Sequence, residues 1–408
     1  MILKFFKNIG PGPLIAAAFI GPGTVTVCTL AGVNFGFTLL WAMVLSIFAT
    51  VVLQEMAARL GIVSQKGLSE IIREEIQHPV VKVLAIILIL SAIVIGNAAY
   101  EAGNISGGAL GMETIVGNVL WQIGNLNLNV ISLLIGAIAF VLLYIGNYKV
   151  LEKVFVFLVI LMSLAFITTA ILTQPNLTAI FKSIFIPKAP KDSILSIIAL
   201  VGTTVVPYNI FLHASLAKTK WTSKNDIKSA KKDTLIAVVL GGMVSMCIII
   251  SASAIQKEAI NNAADLALGL EPLFGSFSKY FLAIGLFAAG VTSSITAPLA
   301  AAYVASGCLG WQASLKSKRF KAVWMVILLL GVVFSSVGFK SIEIIKFAQV
   351  ANGILLPVIA GFLLWVMNKS SVLGTYKNSK LQNFFGLIIL MISIFLGLKG
   401  VLSVFELI

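Results

Sequence analysis

A chain of 408 residues that is 59% hydrophobic and only 11% charged has too little polar surface to cover a water-soluble body of its size, so a bilayer is its natural solvent. The net charge of +14 does not argue for a nucleic-acid partner, because Lys and Arg sit in short loops on alternate connections, as the positive-inside rule describes. Cys28, Cys247 and Cys308 are far apart in apolar segments without metal-ligand spacing and read as packed side chains.

From the N-terminus, Met1 to Ile9 carries Lys4 and Lys7 and reads as a cytoplasmic tail rather than a cleavable leader. A spanning helix needs about 20 mostly apolar residues. On that measure spans are predicted at Pro13 to Val33, Thr38 to Leu60, Val80 to Ala102, Asn129 to Ile145 and Val154 to Leu172. A second set follows at Ile194 to Ala217, Leu235 to Ala254, Phe277 to Gly307, Ala322 to Val337, Ile344 to Met367 and Phe384 to Phe405, eleven in all. An odd number places the termini on opposite sides. Lys66, Arg73, Lys149, Lys153, the run Lys218 to Lys232, Lys316 to Lys321 and Lys369 to Lys380 share the side of Lys4, whereas Gly103 to Asn127 has no Lys or Arg. The expectation is a multi-pass protein of the cell (inner or plasma) membrane with a cytoplasmic N-terminus and an external C-terminus. Between spans two and three, Ser64 to Gln77 has Leu68, Ile71, Ile72 and Ile76 at helical spacing and is expected to lie as a short amphipathic helix on the cytoplasmic interface, with Glu70, Glu74 and Glu75 solvated.

Two spans are interrupted at matching places. Gly21, Pro22 and Gly23 break the first; in the sixth, Thr203, Thr204, Val205 and Val206 lead into Pro207, Tyr208 and Asn209. Proline removes a backbone donor and clashes with the preceding turn, so both spans should unwind locally. Unwound backbone at membrane depth survives only against protein or a wet cavity. Breaks five spans apart therefore predict an all-α polytopic membrane protein with a 5+5 inverted repeat and a solute site between discontinuous helices. The whole chain, 1–408, reads as one transmembrane domain: repeat one about 10–173, repeat two about 192–368, and an extra helix about 384–405. Expected substrate-binding residues at the breaks are Gly21, Gly23, Thr24, Thr204, Val206, Tyr208 and Asn209, with Thr24 as a helix N-cap and the second halves beginning at Gly23-Thr24 and Tyr208-Asn209. There is no HExxH, no paired acids within spans and no Ser-His arrangement, so no enzyme is expected; nor is a cofactor. Broken helices in inverted repeats suit alternating access rather than a channel.

At these residues the sequence resembles the NRAMP (natural resistance-associated macrophage protein) family of proton-coupled divalent metal transporters, which share the LeuT fold. LLWAMVLSIFATVVLQEMAARLGIVS (Leu39 to Ser64) is similar to the family's second helix, VLEKVFVFLVILMSLAF to the fifth, ALVGTTVVPYNIFLHASL to the sixth, and Leu270 to Ala301 to the eighth. The resemblance implies metal transport as a symporter with H+. The family's Asp-Pro-Gly-Asn in helix one reads Gly21-Pro22-Gly23-Thr24 here, and its Met-Pro-His in helix six reads Val206-Pro207-Tyr208. Acids of helix three are replaced by Asn97 and Tyr100, with Glu101 next to them, while Gln349 matches a family residue near the metal and His213 a family histidine. Thr24 and Gln349 are then the remaining candidates for a metal, and Glu101 and His213 the candidates for proton coupling. Mn²⁺ and Fe²⁺ favour carboxylate, imidazole or thioether ligands, so a small organic solute such as a carboxylate stands as the alternative substrate. The partners expected are the lipid bilayer, that cation or solute, and H+; the sequence does not define the oligomeric state.

Overall fold

The computed structural model describes residues 20–404 except 125, 147–148, 258–259 and 338. The Met1 to Ile9 tail and the first half of span one, residues 13–19, lie outside the described residues. Helix α1 (Pro22–Phe35) is the second half of span one. It is followed by α2 (Leu40–Ser64), α3 (Leu68–Glu75), α4 (Pro79–Val116), α5 (Val130–Ile145), α6 (Lys149–Leu172) and α7 (Leu177–Phe185). The second set runs α8 (Ile194–Thr204), α9 (Pro207–Lys220), α10 (Ile227–Ala252), α11 (Ser278–Leu309), α12 (Lys318–Ser336), α13 (Ser341–Met367) and α14 (Lys380–Val404). Among the described residues nine segments are long and apolar enough to cross a membrane, counting α8 with α9 as one; α5 is a shorter tenth and α1 half of an eleventh. The molecule is a helical polytopic membrane protein.

Several bounds differ from expectation, each for a physical reason. Span three does not stop near Ala102: α4 continues to Val116 as a 38-residue helix. The apolar run ends there because the next two turns, with Glu101, Asn104, Ser106, Gly107 and Gly108, are buried against protein rather than exposed to lipid. Small residues let α4 and α11 approach closely, so that a Cβ on Gly108 would lie 3.5 Å from Gly290 Cα. The remainder of the expected loop contains a β-hairpin, Leu120–Ile123 with Leu126–Asn129, paired antiparallel. Asn129 then caps α5 by accepting from Ser132 N at 3.0 Å. Helix α10 starts eight residues ahead of the expected Leu235, its polar first turns emerging from the basic run.

Helix α3 forms where the spacing of Leu68, Ile71 and Ile72 places it, but that face packs on protein instead of lying on lipid. A Cβ on Gly307 of α11 would overlap Ser69. Its acids are tethered as well as solvated: Glu70 Oε1 accepts from Lys218 Nζ at 3.0 Å, Glu74 Oε2 from Lys66 Nζ at 2.6 Å, and Glu75 Oε2 from Ser371 Oγ at 2.9 Å. The helix thereby ties the ends of α2, α9 and α11 to the segment after α13.

Candidate functional site

Both breaks are built the same way. Helix α1 begins at Pro22 with Gly21 as its N-cap (φ −86°, ψ 177°), and α9 begins at Pro207 with Val206 as its N-cap (φ −75°, ψ 118°). Proline suits the first helical position because the N–H it lacks has no partner there and its φ is already helical. The helix starts therefore lie at the prolines, ahead of Gly23-Thr24 and Tyr208-Asn209. The expected N-cap Thr24 is instead the third residue of α1, and neither cap is closed by a side chain.

The two breaks meet through hydroxyls. Thr24 Oγ1 lies 2.8 Å from Thr203 Oγ1, and both residues are buried. Thr204, expected among the substrate-binding residues, turns away: its Oγ1 donates to Leu200 O at 2.9 Å and faces Met43 Sδ at 3.6 Å. Gln349 of α13 closes the third side. A Cβ on Gly23 would overlap its amide, and a Cβ on Gly202 would overlap its main-chain oxygen. Glycine at these two positions is what allows α1 and α8 to lie against α13. Gln349 Oε1, Asn209 Nδ2 and Asn352 Nδ2 are buried without a hydrogen-bond partner among the described residues. Buried polar atoms are nearly always bonded, so each of these suits contact with a small polar solute or water.

The other expected residues form two neighbouring sets. Tyr208 stands edge-on to Tyr100 of α4, ring centroids 5.3 Å apart, and Glu101 follows Tyr100 in the chain. Glu101 is fully buried, packed on Gly331 of α12, with Asn104 Nδ2 donating to its Oε2 at 3.4 Å and Ser294 of α11 facing it. Asn97, one turn earlier, donates through Nδ2 to Ala297 O at 2.9 Å and joins α4 to α11. His213 is also fully buried; its Nδ1 lies 2.5 Å from Gln54 Oε1 of α2. Val206 is buried in the break and offers no side-chain donor or acceptor. Among the described residues no three His, Cys, Asp or Glu come together as a metal cluster. Thr203, Gln54, Asn104 and Ser294 are the participants not anticipated. A Gln within an apolar span is costly in lipid and was the available signal for Gln54.

The family described as "Natural resistance-associated macrophage protein-like", Nramp, matches residues 12–403. The chain belongs to the Nramp family. A relative called divalent metal cation transporter MntH, from Yersinia enterocolitica, is 28% identical over 407 residues, covering 97% of this chain and 94% of its own. A second MntH, from Erwinia tasmaniensis, is 28% identical over 98% of this chain and 94% of its own. In fold, the chain is similar to the Eremococcus coleocola manganese transporter, with a TM-score of 0.77 at 20% identity over 98% of this chain and 87% of that one. It is also similar to MhsT, solved with L-phenylalanine, with a TM-score of 0.60 at 16% identity over 96% of this chain and 98% of that one. The Nramp scaffold with its LeuT-type broken helices is thus present, while the helix-one and helix-six positions carry Gly21, Thr24 and Val206.

Proposed function

We propose that the chain is a secondary transporter that moves a divalent metal cation across the cell membrane by alternating access, with H+ as the coupling ion. The carrying observation is the convergence of α1 and α8, the helices at the two breaks, on Gln349, with Thr24 and Thr203 bonded across the gap. The names of the relatives, a divalent metal cation transporter and a manganese transporter, support a cation. The donors at the breaks are hydroxyl, amide and backbone oxygen. Such a set suits a hard cation that keeps part of its water, such as Mg²⁺, better than one that must be stripped by softer ligands. Glu101 is the proton-exchanging group of this reading, and His213, paired with Gln54 of α2, lies on the second broken helix.

A second reading is favoured by one feature. Gly21, Gly23, Thr24, Thr203, Val206 and Gln349 contain no carboxylate to balance a divalent charge, and two helix N-termini, at Pro22 and Pro207, begin at the breaks. The positive ends of helix dipoles favour anions, which fits a small organic carboxylate.

Calorimetry and proteoliposome uptake separate the readings. Purified protein is expected to bind Mn²⁺ far more weakly than a family member carrying Asp and Met at these positions, and Gly21→Asp with Val206→Met is expected to raise Mn²⁺ affinity. Sub-micromolar Mn²⁺ binding by the native chain would sink the hard-cation reading. Uptake of a carboxylate with no uptake of Mg²⁺ or Mn²⁺ would establish the second. For orientation, the proposal follows loop charge: a cysteine at Lys224 should react with an impermeant reagent from the cytoplasmic face alone. Reaction from outside would reverse it. The complementary external position, Asn125, lies outside the described residues.

A further inference from the structure

Helices α4 and α13 touch where Gly96 faces Leu355, with Leu355 Cδ1 2.8 Å from the place of a Cβ, and again where Gly103 faces Ala348 at 3.1 Å. Toward the start of α4 and the end of α13 a wedge of about 700 Å³ opens between them. Val81, Leu84 and Leu88 line one wall and are 50%, 60% and 48% exposed; Phe362 and Trp365 line the other. This part of the molecule lies in the bilayer, so the exposed wall faces acyl chains. The wedge is polar at one end. His78 and Gln77 line it there, and Lys369 holds its Nζ 4.8 Å from the centroid of the Trp365 ring. Beside them Lys377 Nζ donates to Ser370 Oγ at 3.2 Å, and Glu75, the nearby acid, is bonded by Ser371.

The geometry points to a bound anionic phospholipid: one acyl chain in the α4–α13 wedge and its phosphate held at His78, Gln77 and Lys369. Three physical features agree on that occupant. The walls are apolar over several helical turns, as a chain requires. A tryptophan sits at the level where ring and ammonium meet, the usual depth of the headgroup boundary. The polar end carries an ammonium and donors, on the side that loop charge assigns to the cytoplasm, and basic pockets between spans on that side hold anionic headgroups. A neutral phosphatidylcholine brings its own cation to the same place and is less well matched.

Trp365 provides the test. The chain is reconstituted in phosphatidylcholine vesicles containing a minor fraction of brominated phosphatidylglycerol or, at equal fraction, brominated phosphatidylcholine. The Trp365 signal is taken as the difference between the native chain and Trp365→Phe. Quenching several-fold stronger by the brominated phosphatidylglycerol is expected, and Lys369→Gln combined with His78→Gln should remove that preference. Equal quenching by the two lipids in the native chain overturns the proposal. Should Trp365→Phe not fold, native mass spectrometry of the unmodified chain from mixed-lipid micelles gives an independent reading. Retained phosphatidylglycerol in excess of phosphatidylcholine, lost in Lys369→Gln, supports the site; equal retention overturns it.

Discussion

Replacing Glu101 by Gln is expected to abolish the dependence of uptake on a pH gradient while leaving exchange of substrate across the membrane intact. Glu101 is fully buried at the junction of α4, α11 and α12, and its neighbours Asn104 and Ser294 are neutral. Glutamine keeps the size and one oxygen of the group, so packing on Gly331 is retained. What it removes is the capacity to take up and release a proton. An ionisable residue inside a span is costly and usually belongs to an ion pathway, and Tyr100 with Tyr208 links this one to the second break. Uptake into proteoliposomes with and without an imposed pH gradient, beside counterflow exchange, reads both quantities. Gradient-driven uptake that survives Glu101→Gln would transfer the proton role elsewhere, with the His213–Gln54 pair next in line.

The second large effect concerns the two glycines on Gln349, and the variants should differ in kind. In Gly202→Ala the new methyl meets the main-chain oxygen of Gln349 and lies 2.8 Å from Gly353 N, so only separation of α8 from α13 relieves the overlap. Loss of monodisperse protein on size exclusion is expected. In Gly23→Ala the methyl meets the end of the Gln349 side chain, which can swing aside. The chain should fold, but overpacking of a tight interior costs about 1–3 kcal/mol. If that cost falls on the binding arrangement, affinity drops roughly tenfold to a hundredfold, since each 1.4 kcal/mol is a factor of ten. Native-like uptake by Gly23→Ala would show that Gln349 does not need to stand where it does.

Much of this architecture was legible because a bilayer imposes simple demands on a sequence. Long apolar runs marked the spans, and proline within glycine or threonine marked the breaks. Where a helix buries polar residues against its own protein, hydropathy is silent, which is why α4 outruns its apolar stretch by fourteen residues, Gly103 to Val116. The same limit governs side chains at the site. Thr203 and Thr204 are adjacent and point about 100° apart on a helix, and only the packing of α8 against α1 selects Thr203 for the bond to Thr24. The helix starts expected at Gly23-Thr24 and Tyr208-Asn209 lie instead at Pro22 and Pro207, because proline's fixed φ suits the first helical position; attention to the hydroxyl of Thr24 placed the cap too late. Gln349, Gly23 and Gly202 are separated by up to 326 positions, and their contact is a property of the fold.

Uptake by Thr24→Val, measured in proteoliposomes beside the native chain and Thr169→Val, tests most directly whether substrate is held between the breaks. Valine keeps the shape of Thr24 but leaves the Thr203 hydroxyl without its partner, a loss of about 1–3 kcal/mol. Thr169 is an equally buried control on α6, whose Oγ1 donates to Ala165 O of its own helix at 2.8 Å. Thr24→Val is expected to weaken apparent affinity roughly tenfold to a hundredfold, while Thr169→Val is expected to behave as native. Indistinguishable uptake by the two variants, for Mg²⁺, Mn²⁺ and carboxylates alike, would contradict it.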